Sequence, residues 1–318
     1  MTDKMVNRWL RRQFFPIGWV LLGYYAMVDL LVLATMGVDL LKQILWNLQT
    51  GTFLLDLDFD LLIGNAWGYL ISISAALCIL HAWKGRDYWK EEIFFRNKKM
   101  TFVPAFCAVV FCMGSQMLSS LWLTVLELIM NSCGGSVMPL LDAVSGSSTS
   151  FSMFFYGAVA APVFEEILFR GYVLRTLRPY GKRFAILFSA LMFGMFHGNL
   201  LQGPYAFLMG LVLGYLACEY SIKWSIGLHM FNNLVLAEGL GTLMERMPAG
   251  AADLLFLCLY GGALVLSGVI LVARRAEIRE YRRAEWIDRR CVRCALTNWG
   301  FAVFAAVMVV NMVRSLFL

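Results

Sequence analysis

Residues 150–176 have the sequence SFSMFFYGAVAAPVFEEILFRGYVLRT, an apolar stretch that is long enough to cross a bilayer. It contains two adjacent carboxylates, Glu165 and Glu166, and Arg170 follows them. A charged side chain is costly inside a bilayer, so one that is retained there usually faces a protected cavity and serves a function. The stretch therefore predicts a membrane-embedded helix that carries a polar site.

The rest of the chain is also apolar. Of its 318 residues 60% are hydrophobic and 15% are charged, whereas an ordinary soluble domain has roughly 25% charged residues. We expect an all-α polytopic membrane protein, a single membrane domain over 1–318 that forms a bundle of eight to nine transmembrane helices around an intramembrane polar cavity. Nine apolar segments near the ~20 residues of a spanning helix lie at 14–36, 61–82, 102–130, 150–176, 184–200, 204–220, 223–240, 252–273 and 298–317.

The fifth to seventh segments are the least secure spans, because the loops between them are short and nearly uncharged. Eight spans with one re-entrant segment is the alternative. Basic residues precede the first segment, as in a signal peptide, but the apolar run is long enough to span a bilayer. We therefore expect an uncleaved first helix.

The charged residues predict the orientation. Loops 83–100, 170–183 and 274–297 are basic, whereas loop 37–60 is acidic and loop 131–149 has no Lys or Arg. By the positive-inside rule this alternation predicts a cytoplasmic N-terminus and a basic cytoplasmic loop at 274–297. The net charge of +6 is concentrated in these clusters, so we expect contacts with anionic lipids and no nucleic-acid partner. No eukaryotic targeting signal is visible, which favours a bacterial plasma (inner) membrane.

The two carboxylates differ in their helical neighbours. Glu166 and Arg170 are four residues apart and share a helical face, so they can pair. Glu165 is turned about a third of a turn away and has no such partner. We expect Glu166–Arg170 to be a supporting ion pair and Glu165 the reactive group, beside a wet pocket opened by a kink at Pro162. The alternative is that both acids lie at a helix end in the headgroup region.

A histidine follows in the next apolar segment. Phe193 and His197 are four residues apart, so the imidazole should lie against an aromatic wall. Burial of this kind keeps histidine neutral and able to form hydrogen bonds. If the fourth helix extends to Arg178, Glu165 and His197 lie at the same depth and can meet. The alternative is an ordinary core histidine.

A third motif contains His229 and Asn233, again four residues apart. Two hydrogen-bond donors aimed at one point suit the oxyanion that forms when water attacks an amide carbonyl. Asn232 points elsewhere and is less suited to take part. The alternative is a polar contact between helices. His229 also lies close to Lys223 and hence nearer the membrane surface, so the site would require a sunken turn or a deep cavity.

The three motifs, Glu-Glu-x-x-x-Arg, Phe-x-x-x-His and His-x-x-x-Asn, resemble in this order the CPBP family of intramembrane proteases. That family includes the type II CAAX prenyl endopeptidases and the bacterial bacteriocin-processing or immunity proteins (Abi). The resemblance covers roughly Phe151 to Leu240, and we expect the catalytic core helices at 150–240. It implies that Glu165 is the general base assisted by His197, that His229 and Asn233 stabilise the oxyanion, and that the substrate is a membrane peptide or small membrane protein.

Metal dependence is the open question of that mechanism. Glu165, His197 and His229 could supply three zinc ligands with water in the fourth place. No His-Glu-x-x-His sequence is present and Asn233 is a poor zinc ligand, so we favour a metal-free glutamate mechanism without a cofactor.

Two other functions fit parts of the sequence. A catalytically silent scaffold or immunity protein could use the same fold to bind membrane peptides. A proton-coupled transporter would use further acids in or near other helices, namely Asp29, Glu127 and Glu219. These acids lack partners at helical spacing, which makes transport the weaker alternative.

Overall fold

The computed structural model of the chain describes residues 3–51, 64–145 and 150–317. The regular structure in these ranges is entirely helical. The helices are α1 (Asp3–Thr50), α2 (Trp67–Asp87), α3 (Phe102–Ser132), α4 (Met138–Ser145), α5 (Phe151–Tyr180), α6 (Lys182–Phe196), α7 (Gln202–Glu219), α8 (222–245), α9 (Ala249–Ala273), α10 (Arg275–Ala284), α11 (Arg289–Leu296) and α12 (Trp299–Arg314).

Each predicted apolar segment corresponds to one helix, so the all-helical class is confirmed for the described residues. Among the described residues, five helices are long and apolar enough to cross a membrane: α1, α3, α5, α9 and the helix that begins with α12. Helices α6 and α7 have 15 and 18 residues, which is short for the ~20 of a typical span. A count of eight to nine spans therefore stays a prediction.

The predicted end of the first helix near residue 36 is wrong. Helix α1 continues to Thr50 and ends before Gly51, whose φ of 72° lies in the left-handed region that favours glycine. Charge did not end the helix, because Asp39 pairs with Lys42 one turn later, at 2.8 Å.

Parts of the predicted loops lie outside the described residues. These parts are Asp56, Asp58 and Asp60 of loop 37–60, residues 61–63 of the next segment, and residues 146–149 of loop 131–149. The basic segment 274–297, which the sequence predicts to be a cytoplasmic loop between spans, contains the short helices α10 and α11. Ion pairing within a turn, as between Arg274 and Glu277 at 2.8 Å, supports a helix in this polar sequence.

Small residues bring the central helices close together. A Cβ atom on Gly194 of α6 would lie 2.7 Å from the carbonyl oxygen of Gly203 on α7, so the two backbones are in direct contact. Helices α1 and α12 cross in the same way at Gly18 and Gly300. In membranes, where lipid is as apolar as leucine, such close backbone packing is a main source of helix association.

Helix α5 lies at the centre of this packing. It contacts α6, α7 and α8, and the residues from Glu166 to Leu174 are buried. The helix continues through Pro162 without a break, and the segment Tyr156–Ala160 just before it has wider π-type turns. Turns of this type accommodate a residue that cannot donate a backbone hydrogen bond, and they are frequent at functional sites.

Candidate active site

A buried carboxylate, that of Glu166, organises the candidate site. Its side chain is fully buried, and it accepts hydrogen bonds from three other side chains. Arg170 Nη1 lies 2.8 Å and His229 Nδ1 2.9 Å from Oε1, while the Ser225 hydroxyl donates to Oε2. A buried charge is tolerated when it is paired and hydrogen-bonded, which is the situation here. Glu166 thus connects α5 to α8.

Arg170 extends the same connection to α6 and α7. Its Nη2 atom lies 3.3 Å from the carbonyl oxygen of Gly210 on α7. Its guanidinium carbon is 4.4 Å from the ring centre of Phe193 on α6, the geometry of a cation–π contact. The ion pair between Arg170 and Glu166 therefore fixes four helices relative to one another.

Glu165 has a different environment. One-fifth of its side chain is exposed, and its Oε2 atom lies 3.7 Å from Nε2 of His229. Glu165 also lines a cavity of about 90 Å³, which has room for water. The other lining residues, most of them aromatic, are Tyr24, Tyr25, Val28, Tyr156, Ala161, Phe164 and Phe196.

The hydrogen bonds of His229 determine what its second nitrogen can do. Oε1 of Glu166 is a carboxylate oxygen that already accepts from Arg170, so His229 Nδ1 is the donor in this contact. In a neutral ring Nε2 then carries a lone pair, and this nitrogen is the one near Glu165. The ring can donate from Nε2 only after it has gained a second proton.

His197 follows the same pattern at the end of α6. Its Nδ1 lies 2.9 Å from the carbonyl oxygen of Phe193, which can only accept, so Nε2 of the neutral ring again carries the lone pair. The ring centres of His197 and His229 lie 4.9 and 5.8 Å from that of Phe193, both edge-to-face. Phe193 thus holds both imidazoles, although His197 forms no direct ion pair with Glu165.

The position of α8 removes the difference in depth that the sequence suggests for His229. Ile222, the first residue of α8, lies beside Gly171 of α5. From this level α8 runs antiparallel to α5, so that Ser225 and His229 reach Glu166. The turn between α7 and α8 is therefore sunken relative to Arg178, the residue from which the sequence argument measured depth.

Asn233 is held by two hydrogen bonds. Its Nδ2 atom donates to the carbonyl oxygen of Gly157 at 2.9 Å, and its Oδ1 atom accepts from Nδ2 of Asn232 at 3.0 Å. The Oδ1 atom of Asn232 in turn accepts from the hydroxyl of Tyr205 and the thiol of Cys112. Asn232, which the sequence suggested to be less suited to take part, therefore helps to orient Asn233.

Four residues near the site were missed by the sequence argument. Ser225 lies one turn before His229 on the same face, so helical spacing was a usable signal for it. Cys112, Tyr205 and Tyr24 lie on α3, α7 and α1, and no spacing relates them to the motifs. Only the packing of distant helices brings them together.

The alternative zinc ligands are Glu165, His197 and His229. Within the described ranges, no group of three His, Cys, Asp or Glu side chains is placed to hold a metal ion. The Nδ1 atoms of His229 and His197 are engaged with Glu166 and Phe193, and His197 forms no ion pair with Glu165. This leaves Nε2 of each ring free, the nitrogen that a metal-bound histidine can use while its Nδ1 donates to an acceptor. The metal-free mechanism therefore stays a prediction.

Comparison with known proteins supports the resemblance found in the sequence. Residues 147–235 match a protein family described as type II CAAX prenyl endopeptidase Rce1-like. No curated protein and no solved structure matches the chain. The matched segment contains every predicted site residue, and it is similar to the CPBP family of CAAX protease-like membrane proteins. Helices α1 to α4 and α9 to α12 lie outside it.

Proposed function

We propose that this protein is an intramembrane endopeptidase that uses glutamate-activated water to hydrolyse a peptide bond in a membrane-associated peptide or protein. The observation that carries the proposal is the contrast between the two adjacent acids. Glu166 is fully buried and bonded to Arg170, Ser225 and His229, whereas Glu165 lines a cavity beside the free nitrogen of His229. The first arrangement stabilises the fold, and the second suits a reacting group.

The first chemical step begins with a water molecule beside Glu165. The carboxylate takes a proton from the water, and the oxygen of the water bonds to the carbonyl carbon of the substrate while the carbonyl oxygen gains the negative charge. The Nε2 lone pair of His197 can help to orient that water. General-base catalysis of this kind contributes roughly 10²–10⁴-fold.

The second step uses the pair Glu165–His229. The distance of 3.7 Å between Oε2 and Nε2 allows the captured proton to pass to His229 after a small side-chain movement. The imidazolium then donates from Nε2 to the oxyanion, while Nδ1 keeps its bond to Glu166. The second N–H of Asn233 is the other candidate donor. When the C–N bond breaks, the same proton goes to the leaving amine, which restores the starting charges.

The transport alternative receives less support from two of its three acids. Glu219 pairs with Lys98 and Lys182 at 2.7 and 2.8 Å. Glu127 accepts hydrogen bonds from the Ser136 hydroxyl and the Val137 N–H. Both carboxylates thus connect neighbouring parts of the chain.

The decisive experiment compares wild-type protein with Glu165→Gln, which keeps the shape and removes the base. Both are expressed in the same cells, and the membrane proteins are profiled by their new peptide termini. We expect a set of termini that disappears with Glu165→Gln and persists with Glu280→Gln, a matched change on exposed α10.

Two further measurements complete the design. A farnesylated CAAX peptide serves as the first purified substrate, because the matched family is described as a CAAX prenyl endopeptidase. If the correctly folded Glu165→Gln variant kept full cellular function and left the peptide termini unchanged, the protease hypothesis would be rejected in favour of the silent scaffold.

A further inference from the structure

A second cavity of the described structure lies away from the candidate active site. It has a volume of about 650 Å³ and opens between the first turns of α1 and the start of α12. Its lining residues are Lys4, Asn7, Arg8, Arg11, Arg12, Phe15, Thr297, Asn298 and Trp299. None of them belongs to the segment 147–235 that matches the endopeptidase family.

Four of the lining residues are cations that no described carboxylate neutralises. Lys4, Arg8, Arg11 and Arg12 occur in no ion pair of the described structure, and Arg11 donates only to the hydroxyl of Thr297, at 3.0 Å. By contrast, Arg290 at the same end of the molecule pairs with Asp3 at 2.9 Å. Four positive charges around one cavity repel one another, and an anion bound between them would remove that cost.

The order of residues along α1 indicates which anion fits. Lys4, Arg8, Arg11 and Phe15 share one helical face, and Phe15 lies roughly 10 Å below Arg8 at 1.5 Å per residue. Phe15 and Trp299 are exposed by 46% and 77%, so both offer open aromatic surface beneath the charges. Cations above and aromatic rings below follow the order of headgroup and acyl chain in a bilayer leaflet.

We propose that this cavity binds the phosphate-bearing headgroup of an acidic phospholipid, with its acyl chains against Phe15 and Trp299. The lipid would join α1 to α12, which already cross at Gly18 and Gly300. Free phosphate carries the same charged group as the headgroup but has no acyl chain to contact Phe15 and Trp299. The lipid is therefore the better match.

The test measures lipid binding to the delipidated full-length protein in detergent by native mass spectrometry. Phosphatidylglycerol is compared with phosphatidylcholine, and inorganic phosphate is added as a competitor. We expect tighter binding of phosphatidylglycerol, and a loss of about 25-fold in its affinity for the double variant Arg8→Gln/Arg12→Gln, about fivefold for each cation.

The matched control is Arg279→Gln/Arg283→Gln, which removes the same charge from exposed positions on α10 outside the cavity. We expect this control to bind phosphatidylglycerol like the wild type. Arg8 and Arg12 are exposed and donate no side-chain hydrogen bond to a described residue, so their replacement should leave folding intact. The single variant Arg12→Gln provides a second, milder measurement.

Three results would overturn the proposal. They are equal binding of the two lipids, equal losses in the cavity variant and its control, and complete displacement of the lipid by inorganic phosphate at equal concentration. The first two would indicate a nonspecific charged surface, and the third a phosphate site without a role for the acyl chains.

Discussion

Glu165 and Glu166 are neighbours in the chain, yet one lines a cavity and the other is completely buried among hydrogen-bond donors. This difference arises because successive residues of α5 face different helices. Glu166 faces α8, whereas Glu165 faces the cavity walled in part by α1. The same chemical change at the two positions should therefore have different consequences.

The first prediction concerns stability. Glu166→Gln leaves the buried guanidinium of Arg170 without its counter-charge, and breaking a buried pair typically costs about 3–5 kcal/mol. We expect a large decrease in thermal stability for Glu166→Gln and almost none for Glu165→Gln, measured by unfolding of the purified proteins in one detergent. Similar melting temperatures for the two variants would contradict the assigned roles.

The second prediction concerns Ser225. Ser225→Ala removes a donor from the buried Oε2 atom of Glu166, and leaving a buried acceptor without its partner costs about 1–3 kcal/mol. We expect a stability loss of this size and slower hydrolysis, because Glu166 also positions His229. Ser74→Ala, where the hydroxyl is exposed and bonds only within its own helix, is the control and should change neither property.

The third prediction concerns Asn232. Asn232→Asp replaces the donor to Oδ1 of Asn233 by a carboxylate oxygen, so the Asn233 amide loses the contact that fixes its orientation. We expect kcat to fall by roughly 100-fold, the typical effect of losing one oxyanion donor, with KM nearly unchanged. Tyr205→Phe should act in the same direction but more weakly, because the Cys112 thiol also donates to Asn232. Unchanged kcat in both variants would remove Asn233 from the mechanism.

The fourth prediction concerns the contact of α6 with α7. Gly194→Ala places a methyl group 2.7 Å from a backbone oxygen that cannot rotate away, and overpacking of this kind costs about 1–3 kcal/mol. Since Phe193 and His197 are on α6, activity should fall together with stability. Gly227→Ala, where nothing lies within 4 Å of the added atom, should be tolerated.

The fifth prediction concerns metal ions. Because Glu165 and His229 can move the proton of the attacking water without a metal ion in the proposed mechanism, we expect full activity after dialysis against a strong chelator and no stimulation by added zinc. Activity that disappears in the chelator and returns only with zinc would require a rearranged site and would reinstate Glu165, His197 and His229 as ligands.

The sequence was sufficient to predict the helical class and the ion pair between Glu166 and Arg170. Residues four apart share a helical face, and this rule alone related Glu166 to Arg170 and Phe193 to His197. Spacing within one helix does not tell which face meets another helix. The orientation of Asn233 by Asn232, and the contribution of Tyr205, therefore required the three-dimensional structure.

The positions of the helix ends were the second feature that the sequence did not predict correctly. Charged residues such as Asp39 predicted where the chain leaves the lipid, but an α-helix can continue past such residues, and α1 continues to Thr50. The depth of His229 was misjudged for a related reason. Residue counting assumed that α8 begins level with Arg178, whereas it begins beside Gly171.

Tyr24, Tyr25 and Val28 of α1 form one side of the cavity beside Glu165, although α1 lies outside the segment that is similar to the endopeptidases. If Glu165 is the base that we propose, a substrate that reaches it would also contact α1. We therefore expect substitutions in α1 to change which bond is cleaved while the residues of the proposed mechanism stay in place. We expect a chimera in which only α1 is exchanged to cleave at different peptide bonds with an unchanged kcat.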